Sequence, residues 1–295
     1  MNIDDILKCF PNHIRETLRN NIDTDILEEI RVRNNLPLIL KLGENEKVLE
    51  YKITTEDINY IFQKICENSI YTYQNQIANG FITIKGGNRV GIVGTAVIKD
   101  GQVTNFNYIS SLNFRISRQI IGCSNSIINK IIDKDNNSIY NTLIISPPGI
   151  GKTTLLRDII RSISNGINGI LEGLDITVVD ERGEISATYK GIMQNDLGIR
   201  TDVINDMPKS IGMKMAIRSM APKVIVADEI GSRQDIEAIK YAMCCGVKGI
   251  FTAHGKNVEE IMKNPELKEL MENKIFDKTI TIKGRKNGNF IIVVN

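Results

Sequence analysis

The chain contains no tryptophan, and aromatic residues make up only 5% of its 295 residues. That scarcity argues against an aromatic platform on which nucleic-acid bases would stack. No charge of one sign dominates either: 37 Lys and Arg stand against 35 Asp and Glu, a net charge of +2. A broadly basic nucleic-acid-binding surface is therefore not indicated, although local patches stay open. The five cysteines, Cys9, Cys66, Cys123, Cys244 and Cys245, are odd in number and include no Cys-x-x-Cys pair. Neither a zinc site nor a disulfide framework is signalled, and reduced cytosolic thiols are expected. The adjacent pair Cys244-Cys245 reads as buried helix packing. No run of about 18 apolar residues occurs, so nothing predicts a membrane span. The start, Met1-Asn2-Ile3-Asp4-Asp5, lacks the basic residues and apolar run of a signal peptide. A membrane role would then fall to a partner protein.

What is present is ordinary globular material: 42% hydrophobic and 24% charged residues, on a length that suits two domains or one large one. The first 30 residues read as helical, interrupted at Pro11. Glu28–Arg33 alternates charged and apolar residues like a strand, and Leu36–Leu40 is a second apolar stretch. Residues 55–78 suit a helix capped by Thr55, with Glu56 and Asp57 in its first turn. Phe81–Ile84 and Val90–Val93 flank Gly86-Gly87 and read as a β-hairpin. Residues 111–118 alternate again, with Leu112, Phe114 and Ile116 on one face and Arg115 on the other.

Residues 127–141 read as a helix giving way to a polar stretch, and the domain boundary is placed at 122/123. Beyond it the rhythm changes. Continuous apolar runs at 143–145, 176–179, 224–227 and 249–252 alternate with helical stretches, the pattern of a mostly parallel sheet buried on both faces. Residues 276–283 and 289–294, joined by Gly284–Gly288, read as a closing antiparallel hairpin.

The strongest motif is Leu143-Ile144-Ile145-Ser146-Pro147-Pro148-Gly149-Ile150-Gly151-Lys152-Thr153-Thr154. A buried strand runs through a Pro/Gly loop into Gly-Lys-Thr and a helix, the Walker A pattern with Ser146 where the first Gly is usual. Gly149 and Gly151 permit backbone in which N–H groups turn inward onto phosphates, and the helix N-terminus adds its dipole. Pro148, Gly149, Ile150, Gly151, Lys152, Thr153 and Thr154 are the expected nucleotide-binding residues, for ATP. Lys152 would bridge the β- and γ-phosphates and Thr153 would ligate Mg²⁺.

A second strand, Val224–Ala227, ends in Asp228-Glu229, a Walker B pattern. Asp228 is placed to hold Mg²⁺ and Glu229 to polarise the attacking water. Two more strand ends are polar: Asp180-Glu181-Arg182-Gly183-Glu184 and His254. Active sites of open α/β sheets lie at the carboxyl ends of strands, so Asp180, Glu181 and His254 join the catalytic candidates, His254 as a sensor of the γ-phosphate.

Taken together, the segments SPPGIGKTTLLRD, VVDERGEI, GIRTDV, IRSMAPKVIVADEIG and FTAHG, with EEIRVRNNLPL, GFITIKGGNRVGIVG and ISSLNFRISR before them, resemble the stage III sporulation AA family of ATPases, relatives of type II and type IV secretion ATPases. The resemblance spans nearly the whole chain. It implies a RecA/AAA-like P-loop NTPase domain of α/β class over residues 123–295, preceded by a small α+β domain over 1–122. It implies a hexameric ATPase in the mother-cell cytoplasm, at the outer forespore membrane. There it would energise a transport channel between mother cell and forespore through membrane-protein partners.

By the same resemblance, Asp180–Glu184 matches the acidic box of secretion ATPases and His254 their histidine box. Asp228 stands where that superfamily often has Gly, which leaves the division of labour with Asp180 and Glu181 open. Arginines of the first domain, Arg89 and Arg115 ahead of Arg118, are the expected donors to the γ-phosphate, with Arg200 and Arg218 as further candidates. A surface salt bridge is the plain alternative for each. Two other classes compete. A nucleic-acid-linked P-loop ATPase would need a binding module for which the chain has no room. A small-molecule kinase would need a lid with several arginines, and residues 159–175 offer only Arg161.

Overall fold

Thr142–Ser146 are all buried, as are Ile176–Asp180 and Val224–Ala227. Successive side chains of a strand point to opposite faces, so such a segment needs cover on both. The computed structural model, which describes residues 3–286 and 289–295, shows what supplies it. The chain forms two units: Met1–Arg118 together with Ala187–Gln194, and Gln119–Ser186 together with Asn195–Asn295.

The first unit opens with helices α1 (Ile3–Leu7) and α2 (Asn12–Arg19), then strands β1 (Leu27–Arg33), β2 (Pro37–Leu42) and β3 (Asn45–Lys52). Helix α3 (Thr55–Ile65), a 3-10 turn at Ile70–Tyr73 and helix α4 (Gln74–Ala78) lead to β4 (Phe81–Ile84), β5 (Asn88–Lys99) and β6 (Gln102–Arg115). The six strands form one sheet in the order β3-β2-β1-β6-β5-β4, every pairing antiparallel. Ile30, Val32, Val90, Ile92, Leu112 and Phe114 share a core with Ile14 and Leu18 of α2 and Ile58 and Ile61 of α3.

Three details differ from the sequence expectation. The helix expected over 55–78 stops at Ile65, because Glu67 and Asn68 take φ of 49° and 61°, outside any right-handed helix. Its cap is Thr54, not Thr55: the Thr54 hydroxyl accepts the Asp57 N–H at 3.1 Å while Asp57 accepts the Thr54 N–H at 3.0 Å. The hairpin runs on to Lys99 and back from Gln102, and no residue of its outer half is fully buried, so it lacks the buried/exposed alternation of the inner half.

In the second unit, helix α5 (Ile128–Ile131) is followed by the two-residue strands β7 (Ile132–Asp133) and β8 (Ser138–Ile139), which flank the polar stretch expected after the helix. The main strands are β9 (Thr142–Ser146), β10 (Ile176–Asp180), β11 (Thr201–Asn205), β12 (Val224–Ala227), β13 (Lys248–His254), β14 (Lys278–Lys286) and β15 (Asn289–Val294). Their order is β11-β10-β12-β13-β9-β14-β15, parallel throughout except the closing β14–β15 hairpin. Of the connection expected at Gly284–Gly288, Asn287 and Gly288 lie outside the described residues. Strand β11, an edge strand with polar Asp202 and Asn205, escapes a search for apolar runs.

Helices α6 (Lys152–Asn165), α7 (Lys209–Ser219), α8 (Arg233–Cys244), α9 (Val258–Ile261) and α10 (Pro265–Glu272) complete the unit. Ile144, Val178, Val226 and Ile250 pack with Leu155, Ile159 and Ile163 of α6. Their neighbours Leu143, Ile145, Val179, Ile225 and Phe251 pack on the other face with Met213 of α7, Ile236 and Ile239 of α8 and Leu270 of α10. Cys244 and Cys245, expected to be buried, are exposed at the end of α8. Among the described residues no helix is long and apolar enough to cross a membrane.

One buried charge ties α6 to the start of this unit. Asp158 is fully buried and accepts hydrogen bonds from the Gly122 N–H (2.9 Å), the Ser124 N–H (2.7 Å) and hydroxyl (2.6 Å), and Arg161. Burial opposes its ionisation, but the Ser124 and Gly122 donors and Arg161 outweigh burial and hold the carboxyl below its usual value. A carboxyl lowered in the folded state stabilises the fold above its unfolded pKa of about 3.9 and loses that contribution as pH falls further. Replacing Asp158 with Ala orphans these donors and leaves Arg161 unpaired. It is expected to cost about 3 kcal/mol, read at neutral pH from the shift in urea midpoint.

Candidate active site

Strand β9 delivers the phosphate-loop residues. Ser146 is buried at its end, whereas Pro148 and Gly149 at the tip of the loop are exposed. Gly149 and Gly151 have φ of 78° and 103°. These left-handed values are cheap only for glycine, and they turn the loop so that α6 starts at Lys152. Among the described residues Lys152 is one of the few buried charges, 5% exposed, and its Nζ has no hydrogen-bond partner. The Nζ stands 3.4 Å from Asp228 Oδ1 and 3.6 Å from Glu229 Oε1, close enough for attraction but without a donor–acceptor geometry.

Strands β12 and β13 bring the acidic end to that loop. Asp228 Oδ2 accepts the Thr153 hydroxyl at 3.0 Å, and Asp228 Oδ1 accepts the Thr252 hydroxyl. Glu229 follows in left-handed backbone, φ 55°, a conformation of order 1–3 kcal/mol above the ordinary wells for such a residue. Its N–H donates to Thr252 Oγ1 at 2.9 Å, which secures the unusual turn. The Glu229 carboxylate is thereby aimed among three side-chain nitrogens: Arg182 Nη1 at 2.6 Å, His254 Nε2 at 2.8 Å and Lys152 Nζ at 3.6 Å. Burial resists its ionisation, yet Lys152, the His254 hydrogen bond and Arg182 together hold the carboxyl below its usual range.

The acidic segment after β10 divides into different parts. Asp180 is 3% exposed, and both its oxygens accept hydrogen bonds: from the backbone N–H of Glu184, Ile185 and Ser186 and from the Ser186 hydroxyl. This carboxylate organises the turn and is aimed at backbone rather than into the cluster. Glu181 pairs with Lys209 of α7. Glu184 instead comes forward, so that Glu184, Asp228 and Glu229 each bring one oxygen within 4.8 Å of the others.

The structure brings Lys152, Thr153, Asp228, Glu229 and His254, all named from the sequence, close together. Arg182, Glu184 and Thr252 join them without having been singled out. The available signal was position: Arg182 and Glu184 sit within the quoted acidic motif, and Thr252 lies two residues before His254 on the same face of β13. Arg89, Arg115 and Arg118 belong to the first unit. The Arg89 guanidinium lies 4.5 Å over the Phe81 ring, and Arg115 stands in register with Glu29 on one side and Arg89 on the other. Arg118 donates to the carbonyls of Thr24, Asp25 and Leu27, holding the approach to β1. In the second unit Arg200 is bound to the Ser164 carbonyl at 3.0 Å, and Arg218 is on α7.

The residues fit a nucleotide phosphate with Mg²⁺. A buried ammonium without a hydrogen-bond partner is costly unless an anion completes it, and the loop before it is open to solvent. Thr153 and Asp228 offer the hard oxygen donors that Mg²⁺ takes.

Comparison with known proteins bears on the same reading. Residues 2–293 match the family described as sporulation stage III, protein AA. Stage III sporulation protein AA of Bacillus subtilis is 37% identical over 286 residues, covering 96% of this chain and 92% of that protein. Among solved structures, the Legionella pneumophila ATPase DotB aligns with a TM-score of 0.60 at 13% identity, over 97% of this chain and 80% of that one. The pilus retraction motor PilT, solved with bound ADP, aligns with a TM-score of 0.60 at 14% identity, over 98% and 82%. The fold is that of the secretion and pilus ATPases.

Proposed function

Since the chain belongs to the sporulation stage III, protein AA family, we propose that it is an ATPase that works as a hexameric ring motor in the mother-cell cytoplasm. In this reading it energises a channel between mother cell and forespore. The observation that carries the hydrolytic part is the buried Lys152 ammonium. It lies beside two carboxylates, unsatisfied, at the mouth of a phosphate loop. The motor part is supported by the likeness in fold to DotB and PilT and by the family.

The chemistry follows from the groups in place. Backbone N–H groups of Gly149–Thr154 and the Lys152 ammonium hold the phosphates. Mg²⁺, held by Thr153 and Asp228, would neutralise charge between the phosphates. Glu229, ionised because its cationic neighbours favour the anion, accepts a proton from water. The water oxygen bonds to the γ-phosphorus as the bond to the bridging oxygen breaks, and ADP leaves. His254 and Arg182 orient the Glu229 carboxylate. Asp180 keeps the acidic turn in shape, and Glu181 is held to Lys209. Arg89 and Arg115 act on the developing charge of a γ-phosphate within the assembled ring.

Sedimentation of the purified chain, with and without a non-hydrolysable ATP analogue, tests this function alongside phosphate release. Slow ATP hydrolysis that rises more than linearly with protein concentration is expected, with a hexamer favoured by the analogue. A strict monomer under both conditions sinks the ring motor. Stimulation by single-stranded DNA would move the function to the nucleic-acid-linked class.

A further inference from the structure

The acidic segment that begins at Asp180 continues past the site into the other unit. Residues up to Ser186 belong to the second unit, Ala187–Gln194 belong to the first, and the chain returns to the second at Asn195. The excursion is a tight hairpin. Tyr189 and Ile192 exchange backbone hydrogen bonds of 2.9 and 3.0 Å around Lys190 (φ 50°) and Gly191 (φ 77°). Two left-handed central residues are the mark of a type I′ turn.

The hairpin is fixed at both ends. Its base closes in the second unit, where the Asn195 N–H donates to the Ser186 carbonyl at 3.1 Å and Asn195 Nδ2 to the Ile185 carbonyl at 2.8 Å. Its body is seated in the first unit. The Tyr189 hydroxyl donates to one oxygen of Glu67 and Lys190 pairs with the other. The Gly86 N–H donates to Gln194 Oε1 at 2.8 Å. At Gly87, φ 76°, a Cβ would stand 2.8 Å from the Ala187 Cβ, so glycine alone permits this approach. Glu67 is itself in left-handed backbone, φ 49°, which costs an ordinary residue roughly 1–2 kcal/mol. That backbone breaks the helix before it and presents a single carboxylate to both hairpin side chains.

The two anchors are adjacent in the chain. Asp180 locks the N–H groups of Glu184, Ile185 and Ser186, and Ala187 follows at once. Within that locked turn lie Arg182, which orients Glu229, and Glu184, which faces Asp228. We propose that Glu67 is a positioning residue for the catalytic site, acting through the Ala187–Gln194 hairpin on the turn that carries Arg182 and Glu184. The proposal rests on the ATPase reading above.

The test uses the full chain and steady-state ATP hydrolysis. Glu67→Ala is expected to lower kcat about fivefold, within the ~2- to 30-fold range of coupling through packed networks, with KM for ATP within about twofold of wild type. Glu67→Gln keeps an acceptor for Tyr189 and should recover part of the loss. The pair Tyr189→Phe with Lys190→Ala should reproduce it. Adding Glu67→Ala to that pair should lower kcat no further, because all three act through one linkage. A residue that merely supports its own unit would lower the melting temperature and leave kcat of the folded protein unchanged. A kcat for Glu67→Ala within twofold of wild type overturns the proposal, as do effects that multiply in the combined variant. Where wild type hydrolyses ATP and Lys152→Ala does not, a silent Glu67→Ala removes the linkage alone. Where wild type hydrolyses none, the ATPase reading fails and the linkage falls with it.

Discussion

A Glu229→Gln variant is expected to bind ATP about as well as wild type and to hydrolyse it roughly 10²- to 10⁴-fold more slowly, the span ascribed to a positioned general base. The amide keeps the size of the side chain and can still meet His254 and Arg182, so the φ 55° turn and the Thr252 contact stand. What is lost is the ability to take a proton. The pH profile sharpens the assignment. Lys152, His254 and Arg182 overcome burial and hold the Glu229 carboxyl below its usual value, so it is ionised throughout neutral pH. The wild-type rate should therefore show no acid limb from this group above its ordinary pKa of about 4.3. Single-turnover phosphate release with excess enzyme measures both features. A Glu229→Gln rate equal to wild type would remove Glu229 from the role of base.

Lys152→Ala is expected to fail earlier, at binding. The ammonium supplies charge-assisted hydrogen bonds worth about 1.5–3 kcal/mol, so nucleotide affinity should fall by about one to two orders of magnitude. Hydrolysis should fall further, since the developing charge loses the same group. Thermal unfolding reports the binding loss directly. At a nucleotide concentration about 100 times the wild-type Kd, the wild-type fold gains about 2.7 kcal/mol, and the variant should gain only about 0.4–1.4 kcal/mol. Without Lys152 the Glu229 carboxyl also loses its strongest cationic support and should move back up toward its usual value. A nucleotide-dependent rise in melting temperature equal to that of wild type would contradict the phosphate-binding role.

Much of this site was legible because its chemistry is local. Strand, glycine loop, Lys and Thr lie within a dozen residues, and apolar runs ending in Asp-Glu need no knowledge of what lies opposite. What could not be read depends on direction and on distant partners. Asp180, Glu181 and Glu184 look alike as carboxylates at a strand end. Only the fold shows that Asp180 turns to backbone amides, Glu181 to Lys209, and Glu184 toward Asp228. Arg182 is one residue of an acidic motif in the sequence, and only the fold brings its partner, Glu229, beside it. The early stop of α3 follows from two left-handed residues that belong to strong helical spacing, so periodicity alone extends the helix too far. Residues 187–194 carry no apolar rhythm, and their partners lie more than 100 positions away.

The excursion of the chain also bears on how the protein is made. Synthesis proceeds from the N-terminus, and domains generally fold as units as they emerge. Here the first unit has nearly all its residues by Arg118, yet the hairpin that Glu67 and Gly86 hold is not available until Gln194 has been added. The nascent first unit must therefore wait, with its hairpin seat vacant, through the synthesis of β9, α6 and β10. Long-range closure of this kind slows folding. A fragment ending at residue 118 would lack a native part of its own unit, and one beginning at 119 would carry a hairpin with no seat.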